Sequence, residues 1–447
     1  MIASPQNLFR YERLQEPLLR FFLNKKFANP RAGLRKAGPY DAERHSDEDI
    51  NVGIIAERDT ISNLKKLVRH LKEGYNRYLG FRQIFKVKNI SVEEEAIREI
   101  DYTTFSNDIS SVENVYFELA DKLSDRSVII IGLNDRLIER SYAYIKSLRF
   151  RYIRKTVRLQ LIKRSTLEKA LTNPSTLEFT LFNMGTAIYA KMGGIPWILD
   201  RQLIPAGIFV GIAFTRPKIK KTNNHRKELF YYGILAVYNK FGKYVDMSAR
   251  AITVESDKYL STKGLYIPKS DMIIMINQII SEYRPPVLIV HKSARFHKDE
   301  IEAIKHVLEN REIRYALIHV ESSNPYRGYG GEEHNGTIVR GDLILDNEFR
   351  NRAILFTTGC VQSEQKILRR SKPGTPRPIE LEIEKNTTPF NPRDCAEQVL
   401  GLTKLDWNTT DVEVRIPITL KYARRIATLI PHLASSGGLV TDVRDLM

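Results

Sequence analysis

Four residues of this chain have the types and spacing to hold a terminal phosphate: Tyr142, Lys146, Gln160 and Lys191. Tyr142 and Lys146 stand four apart in a segment whose pattern predicts a helix, so ring and ammonium share one face. A ring beside an ammonium suits a stacked base and its phosphate, and Gln160 and Lys191 are placed to complete such a pocket. Singly, each is unremarkable, since a lone lysine on a helix is usually solvated. The four lie in or near the densest charge of the chain. Between Arg140 and Lys169 there are ten Lys or Arg residues against one acid, Glu168, with Tyr142, Tyr144, Phe150 and Tyr152 interleaved. Cations neutralise phosphates, and aromatic faces stack on unpaired bases for about 1–3 kcal/mol per base. The competing reading is a solvated helix face with its aromatics in the core. A second basic run, Arg216 to Lys227, carries six Lys or Arg and no acid; it reads equally as a lining of a nucleic-acid channel or as a solvated hairpin.

The elements that position these residues follow an α/β rhythm. Residues 1–50 read as an irregular segment rich in Pro, Gly and Arg. From there the pattern predicts strands over 50–56, 83–87 and 128–132 and helices over 60–78, 112–123 and 135–148. Strands alternating with helices imply a parallel sheet with crossover helices. This first domain, over residues 51–200, is Rossmann-like in pattern but has neither a GxGxxG fingerprint nor a Walker A sequence, so no nucleotide cofactor is assigned to it. The turn from Lys191 to Trp197 closes it.

The second domain, residues 201–447, opens with strands over 207–214, 229–237 and 244–254. A helix over 271–283, a strand over 286–290, a helix over 298–309 and a strand over 314–320 follow. That is the order of an RNase H core, whose metal ions need carboxylates on the first strand and at the tip of the fourth. Here the first strand reads Gly211-Ile212-Ala213-Phe214-Thr215 and the fourth ends Val290-His291-Lys292-Ser293. No acid lies within three residues of Ala213 or Lys292 along the chain. Further strands are expected over 337–340 and 353–357 and helices over 393–405 and 421–432, with an exposed Gly-rich loop from Asn324 to Asn335.

Composition narrows the partners. The 447 residues carry a formal charge of +17, with 70 Lys and Arg against 53 Asp and Glu. Such an excess favours a polyanionic partner, nucleic acid first. Two cysteines, Cys360 and Cys395, exclude a disulfide framework. They are isolated, and His291 and His297 lack further partners at ligand spacing, which argues against a His/Cys metal centre. No apolar run reaches the roughly 18 residues of a membrane span. Met1 to Pro5 has no signal-peptide core. A cytoplasmic protein is expected.

Taken together these residues resemble the short prokaryotic Argonautes, built from a MID and a PIWI domain. The resemblance covers nearly the whole chain. Its carriers are Glu16-Pro17-Leu18, Asn29-Pro30-Arg31-Ala32-Gly33-Leu34 and Gly38-Pro39-Tyr40-Asp41 at the start, and then Tyr142, Lys146, Gln160 and Lys191 in the order of the MID motif for a guide's 5′ phosphate. Gly374-Thr375-Pro376-Arg377-Pro378, the segment Leu402 to Trp407, and Pro417 with Lys421-Tyr422-Ala423-Arg424 are similar to PIWI landmarks. No single motif decides; their order and spacing do.

The resemblance implies a Rossmann-like MID domain followed by an RNase H-like PIWI domain. It also implies a short 5′-phosphorylated guide RNA, a complementary invader DNA as target, and a role in prokaryotic immunity. In the family the C-terminal carboxylate, here that of Met447, helps bind the guide phosphate through a divalent ion such as Mg. An active PIWI site carries Asp, Glu, Asp and then Asp or His. Matched residue by residue, the first falls on Ala213, the third on Lys292 and the fourth on Arg424; the second lies in a variable loop and has no assigned position. Two-metal hydrolysis needs anionic ligands on both ions, so no catalytic activity is expected, and Lys292 and Arg424 would instead attract the target backbone. The resemblance further implies an APAZ-containing partner fused to a TIR, sirtuin-like, nuclease or membrane-associated effector. A metal-dependent guide-directed endonuclease and a guide-independent RNA-binding protein remain as alternatives.

Overall fold

The apolar runs become the buried strands of two separate sheets in the computed structural model of the protein, which describes residues 8–100, 109–152, 155–204, 207–215, 229–239, 244–254, 266–331, 336–362, 367–368, 374–387, 390–434 and 444. The chain divides into two compact units. One comprises Met1–Leu18, Leu199–Asp406 and Val412–Ala427; the other comprises Leu19–Ile198, Trp407–Asp411 and Thr428–Met447. Both are discontinuous, unlike the contiguous spans 1–50, 51–200 and 201–447 expected from sequence.

The first fifty residues are not irregular. They contribute strand β1 (Phe9–Arg13) to one unit and helix α1 (Pro30–Lys36) to the other. Asn29 caps α1 through its side chain, which accepts from Ala32 N at 3.1 Å, and Pro30 opens the helix. Pro, Gly and Arg there belong to a capped helix start rather than to irregular chain.

The unit of residues 19–198 runs β2 (Asp49–Glu57), α2 (Arg58–Glu73), α3 (Phe81–Phe85), β3 (Asn89–Ile100), α4 (Ser110–Lys122), β4 (Ser127–Leu133), α5 (Asp135–Arg151), β5 (Arg158–Lys163), α6 (Arg164–Thr172) and α7 (Pro174–Lys191). The sheet order is β3-β2-β4-β5, and every pairing is parallel. All seven residues of β4 are buried, as a central parallel strand demands. The strand expected over 83–87 is instead the short helix α3, because Phe81, Ile84 and Phe85 bury at helical spacing. The true strand, β3, begins six residues later. Its run of Glu93, Glu94 and Glu95 obscured it, yet charge suits an edge strand.

In the other unit, β6 (Ile208–Phe214), β7 (Leu229–Asn239) and β8 (Tyr244–Val254) form an antiparallel meander. They are followed by α8 (Lys269–Tyr283), β9 (Val287–Lys292), α9 (Lys298–Glu309) and β10 (Arg314–Glu321). β9 lies parallel to both β6 and β10. The spatial order β8-β7-β6-β9-β10 is third-second-first-fourth-fifth, the arrangement expected of an RNase H-like core. Val210, Ile212, Leu235, Leu288 and Val290 pack with Met275, Ile276 and Ile279 of α8 and with Ala303 and Ile304 of α9.

Four more strands extend the sheet to nine: β11 (Asp342–Asp346), β12 (Arg352–Leu355), β13 (Ile379–Asn386) and β1 at the far edge, in the order β1-β11-β12-β13-β10. The strand expected over 337–340 is reduced to one bridge, Val339 to Cys360. Helices α10 (Pro392–Leu402) and α11 (Ile418–Ala434) complete the fold. The N-terminal stretch is tied into this unit by Glu16, whose carboxylate meets Arg340 Nε at 3.0 Å and Lys404 Nζ at 2.6 Å, all three buried. The two cations hold the Glu16 pKa below its ordinary value despite full burial.

Candidate functional site

In the unit of residues 19–198, β5 and α7 bring two of the four phosphate candidates into contact. Lys191 is the last residue of α7 and is 0 % exposed. Its Nζ donates to Oε1 of Gln160 on β5, the strand at the sheet edge. Gln160 is held in turn by its amide, which donates to Leu161 O at 3.0 Å. Lys146 projects from α5 and is 2 % exposed. Tyr142, one turn earlier, is half-buried and packs on the core beneath α5.

The turn after α7 fixes where Lys191 ends. Gly193 adopts φ +104, open to glycine at little cost, and a Cβ on Gly194 would lie 2.2 Å from the Tyr189 ring. Asp41 locks the turn by accepting from Tyr189 Oη at 2.9 Å and from Ile195 N at 2.8 Å. Burial, with Asp41 adding to it, pushes the Tyr189 pKa up, so the phenol stays a donor. The chain's end returns to the same place: Arg444 donates to Gly193 O at 2.8 Å. Met447, the expected source of a metal-binding carboxylate, lies outside the described residues, as does the basic run Arg216 to Lys227.

A cleft of about 600 Å³ opens beside Gln160. Lys163, Lys169, Thr176, Thr180, Asn183 and Asn408 are among its lining residues. Asn183 also accepts from Thr410 N at 2.7 Å, fixing one wall. The aromatics of the basic stretch mostly serve packing. Phe150 and Tyr152 are buried, Tyr152 stacks on Phe117, and Tyr144 donates to Glu113 while Arg151 sits 5.1 Å from its ring. Of the four, only Tyr142 remains a candidate base platform.

In the second unit, Ala213 and Lys292, the residues expected where an active site would carry acids, lie on neighbouring strands. Ala213 is buried on β6, and β9 runs beside it with Lys292 paired to Ile212. Lys292 is 1 % exposed, and its ammonium donates to Glu300 and to Arg295 O at 3.2 Å. The rings of Phe214 and Phe296 stand 5.4 Å from it. Burial lowers the Lys292 pKa, and the Glu300 carboxylate draws it back up. Glu300 sits in the first turn of α9 and completes a capping box with His297, accepting from His297 N at 2.8 Å and from Ile267 N at 3.0 Å. The expectation that Lys292 attracts a target backbone is therefore corrected, since its charge is spent inside the core. Arg424 is exposed on α11.

Next to Lys292, His291 is fully buried, with Nδ1 2.9 Å from Thr419 Oγ1. Burial pushes its pKa down to about 3, so it is neutral. A Cβ on Gly211 would lie 2.1 Å from Thr419 O, so only glycine lets α11 reach the sheet here. Among the described residues no group of three or more His, Cys, Asp or Glu side chains is arranged to hold a metal ion.

Known proteins are similar to most of this chain in sequence and fold. The chain is 20% identical over 431 residues to a protein argonaute of Cereibacter sphaeroides, covering 90% of this chain and 53% of that one. It is 21% identical over 421 residues to a Piwi protein of Archaeoglobus fulgidus, covering 91% and 88%. In sequence the chain is thus similar to Argonaute and Piwi proteins. No family model matches it. Its fold is similar to that of Clostridium butyricum Argonaute, solved with a guide DNA and a 19-mer target DNA. The TM-score is 0.69 at 18% identity, over 95% of this chain and 53% of that one. The Argonaute of Aquifex aeolicus gives 0.63 at 16% identity, over 94% and 53%. The chain thus has the α/β MID–PIWI fold of Argonautes and spans about half the length of the Cereibacter relative. No helix among the described residues is long and apolar enough to cross a membrane.

Sequence reasoning missed Glu300, Asp41 and Arg444 as positioning residues. Glu300 had a local signal, the His297-x-x-Glu300 spacing of a capping box. In the turn after α7, the partners of Asp41 and Arg444 lie 148 or more residues away along the chain and left no local signal.

Proposed function

We propose that this Argonaute homologue binds a short 5′-phosphorylated guide, RNA by its resemblance to the short type, and uses it to recognise complementary DNA without cutting it. The observation that carries this is the Lys191–Gln160 contact at the end of α7, with Lys146 buried on α5, which packs on the strand that carries Gln160. An ammonium at such a site binds a phosphate through charge-assisted hydrogen bonds, roughly twice as strong as neutral ones. The cleft beside Gln160, with Lys163 and Lys169 on its walls, suits the backbone of the following nucleotides. By the same resemblance a Mg ion would be shared between the guide phosphate and the carboxylate of Met447, which lies outside the described residues. The described residues supply cations and an amide, so the metal would depend on that carboxylate.

The absence of cutting rests on Ala213 and on the Lys292–Glu300 pair. A methyl group ligates nothing, and an ammonium occupies the place of an anionic ligand. A chain that grips without cutting needs an effector, so we place it in a heterodimer with an APAZ-containing partner, in the cytoplasm of a prokaryote, as a sensor of invading DNA. Binding of matched 5′-phosphoryl and 5′-hydroxyl strands tests the first part, and equal affinities would refute it. Target paired to guide should stay intact in magnesium or manganese; cleavage at one defined phosphodiester overturns that part. Coexpression with the neighbouring reading frame, followed by size-exclusion chromatography, tests the heterodimer.

A further inference from the structure

From Leu181 to Lys191 every residue of α7 is buried except Asn183. Asn183 continues a line begun by Thr176 and Thr180. Spacings of four and three put the three side chains on one helix face, over about 10 Å of axis. All three are half-buried and line the cleft beside Gln160. A threonine in a helix commonly donates to a carbonyl one turn back, as Thr186 of the same helix does to Phe182 O at 2.7 Å and Thr172 does to Glu168 O at 2.9 Å. The hydroxyls of Thr176 and Thr180 make no hydrogen bond among the described residues. Asn183 is half engaged. Its Oδ1 accepts from Thr410 N at 2.7 Å and from Thr410 Oγ1 at 2.8 Å, which leaves the amide Nδ2 to donate elsewhere.

The rest of the cleft says which part of a nucleic-acid strand this face meets. Among the described residues no acid lines it; Lys163 is shared with Glu139 at 2.7 Å, and Lys169 stands on the neighbouring helix α6. Phe179 is the one aromatic side chain described on its walls, and Arg31 already lies 5.1 Å from that ring. With no open ring to stack on, bases have no platform here, and the cleft suits a sugar–phosphate backbone. Within that backbone, phosphate oxygens only accept, and a lysine serves them best. The ribose 2′-hydroxyl both donates and accepts, as a threonine hydroxyl does, and DNA lacks it. Two unengaged hydroxyls and an amide in line, none of them charged, match riboses rather than phosphates.

We propose that Thr176, Thr180 and Asn183 form a ribose-reading face, which hydrogen-bonds 2′-hydroxyls of the nucleotides that follow the guide's 5′ end and so selects RNA over DNA. This rests on the guide-binding reading above and adds to it the residues that discriminate the sugar.

Competition between 5′-phosphorylated RNA and DNA strands of one sequence tests this on the full chain. Wild-type protein should prefer RNA by roughly tenfold or more, at a factor of about five for each hydrogen bond. Thr176→Val with Thr180→Val keeps the branching of both side chains and removes both hydroxyls. The double variant should bind RNA nearly as weakly as DNA, with its DNA affinity unchanged. RNA strands carrying single 2′-deoxy substitutions should lose affinity for wild-type protein only where the substitution lies near the 5′ end. That scan needs no variant, so it decides the matter even where the variant fails to fold. The 5′-hydroxyl forms of the same strands score the guide reading separately: RNA selection without a 5′-phosphate preference would refute that reading and leave ribose selection standing. Equal wild-type affinity for RNA and DNA, an equal loss on both in the double variant, an RNA preference that the folded double variant retains, or a deoxy penalty spread evenly along the strand overturns the proposal.

Discussion

Each unit buries a lysine, and the two lysines have been put to opposite uses. Lys292 meets a carboxylate, Glu300, itself fixed by two backbone N–H donors at a helix start. The described bond of Lys191 is to the carboxamide of Gln160. A carboxylate cancels an ammonium's charge; a carboxamide orients it and leaves the charge in place. One arrangement neutralises an ammonium inside the core. The other aligns an ammonium with a carboxamide at the end of α7. The same residue type thus meets a carboxylate in one place and a carboxamide in the other.

The sharpest way to break this contrast is to remove the carboxylate. Glu300→Gln should cost about 3–5 kcal/mol of stability, because it leaves a buried ammonium uncompensated. The double replacement Lys292→Met with Glu300→Gln should recover much of that loss, which denaturant titration of the four proteins in a double-mutant cycle will read. Additive losses would show that the pair is not coupled. On the other side, Lys146→Ala with Lys191→Ala should leave the fold intact enough to bind nucleic acid but erase the preference for a 5′ phosphate. At about 1.5–3 kcal/mol per charged hydrogen bond, the loss is roughly tenfold or more for each lysine. Competition between 5′-phosphoryl and 5′-hydroxyl strands gives the ratio directly. Ala213→Asp should restore no cleavage, since Lys292 and Arg424 remain at the other positions; a cut product on a denaturing gel would contradict that.

The smallest effect is a pH response of opposite sign in the two units. His291 has a folded pKa of about 3, below its unfolded value, so its contribution is complete above roughly pH 6.5 and is lost as the pH falls. The slope is about 1.4 kcal/mol per unit, or about 2 kcal/mol between pH 6.5 and 5. His45 runs the other way. Its hydrogen bond to Asp41 raises its pKa, and Glu48 adds to the effect, so its contribution holds below the unfolded value and fades as the pH rises through the folded one. His291→Gln should flatten the acid limb of stability against pH. An unchanged limb would show that His291 is not what acid titrates.

Much of this was legible along the chain. β4 and β9 announced themselves through the apolar runs Val128–Ile131 and Val287–Val290, and α2 by its helical spacing, because burial on a regular element leaves a periodic trace. The order of elements after Gly207 was enough to infer the RNase H-like core, and local spacing on α5 was enough to put Tyr142 and Lys146 on one face. Where charge overrode periodicity, as in the Glu-rich edge strand β3, the reading failed. Tertiary structure alone decided the rest. It brought Gln160 to Lys191 across 31 residues and Glu16 to Arg340 across 324. It also buried Lys292, which the sequence offered as a surface cation. The reason is physical: periodicity records which side of an element faces the core, whereas the partner of a buried charge is set by packing between elements distant in the chain.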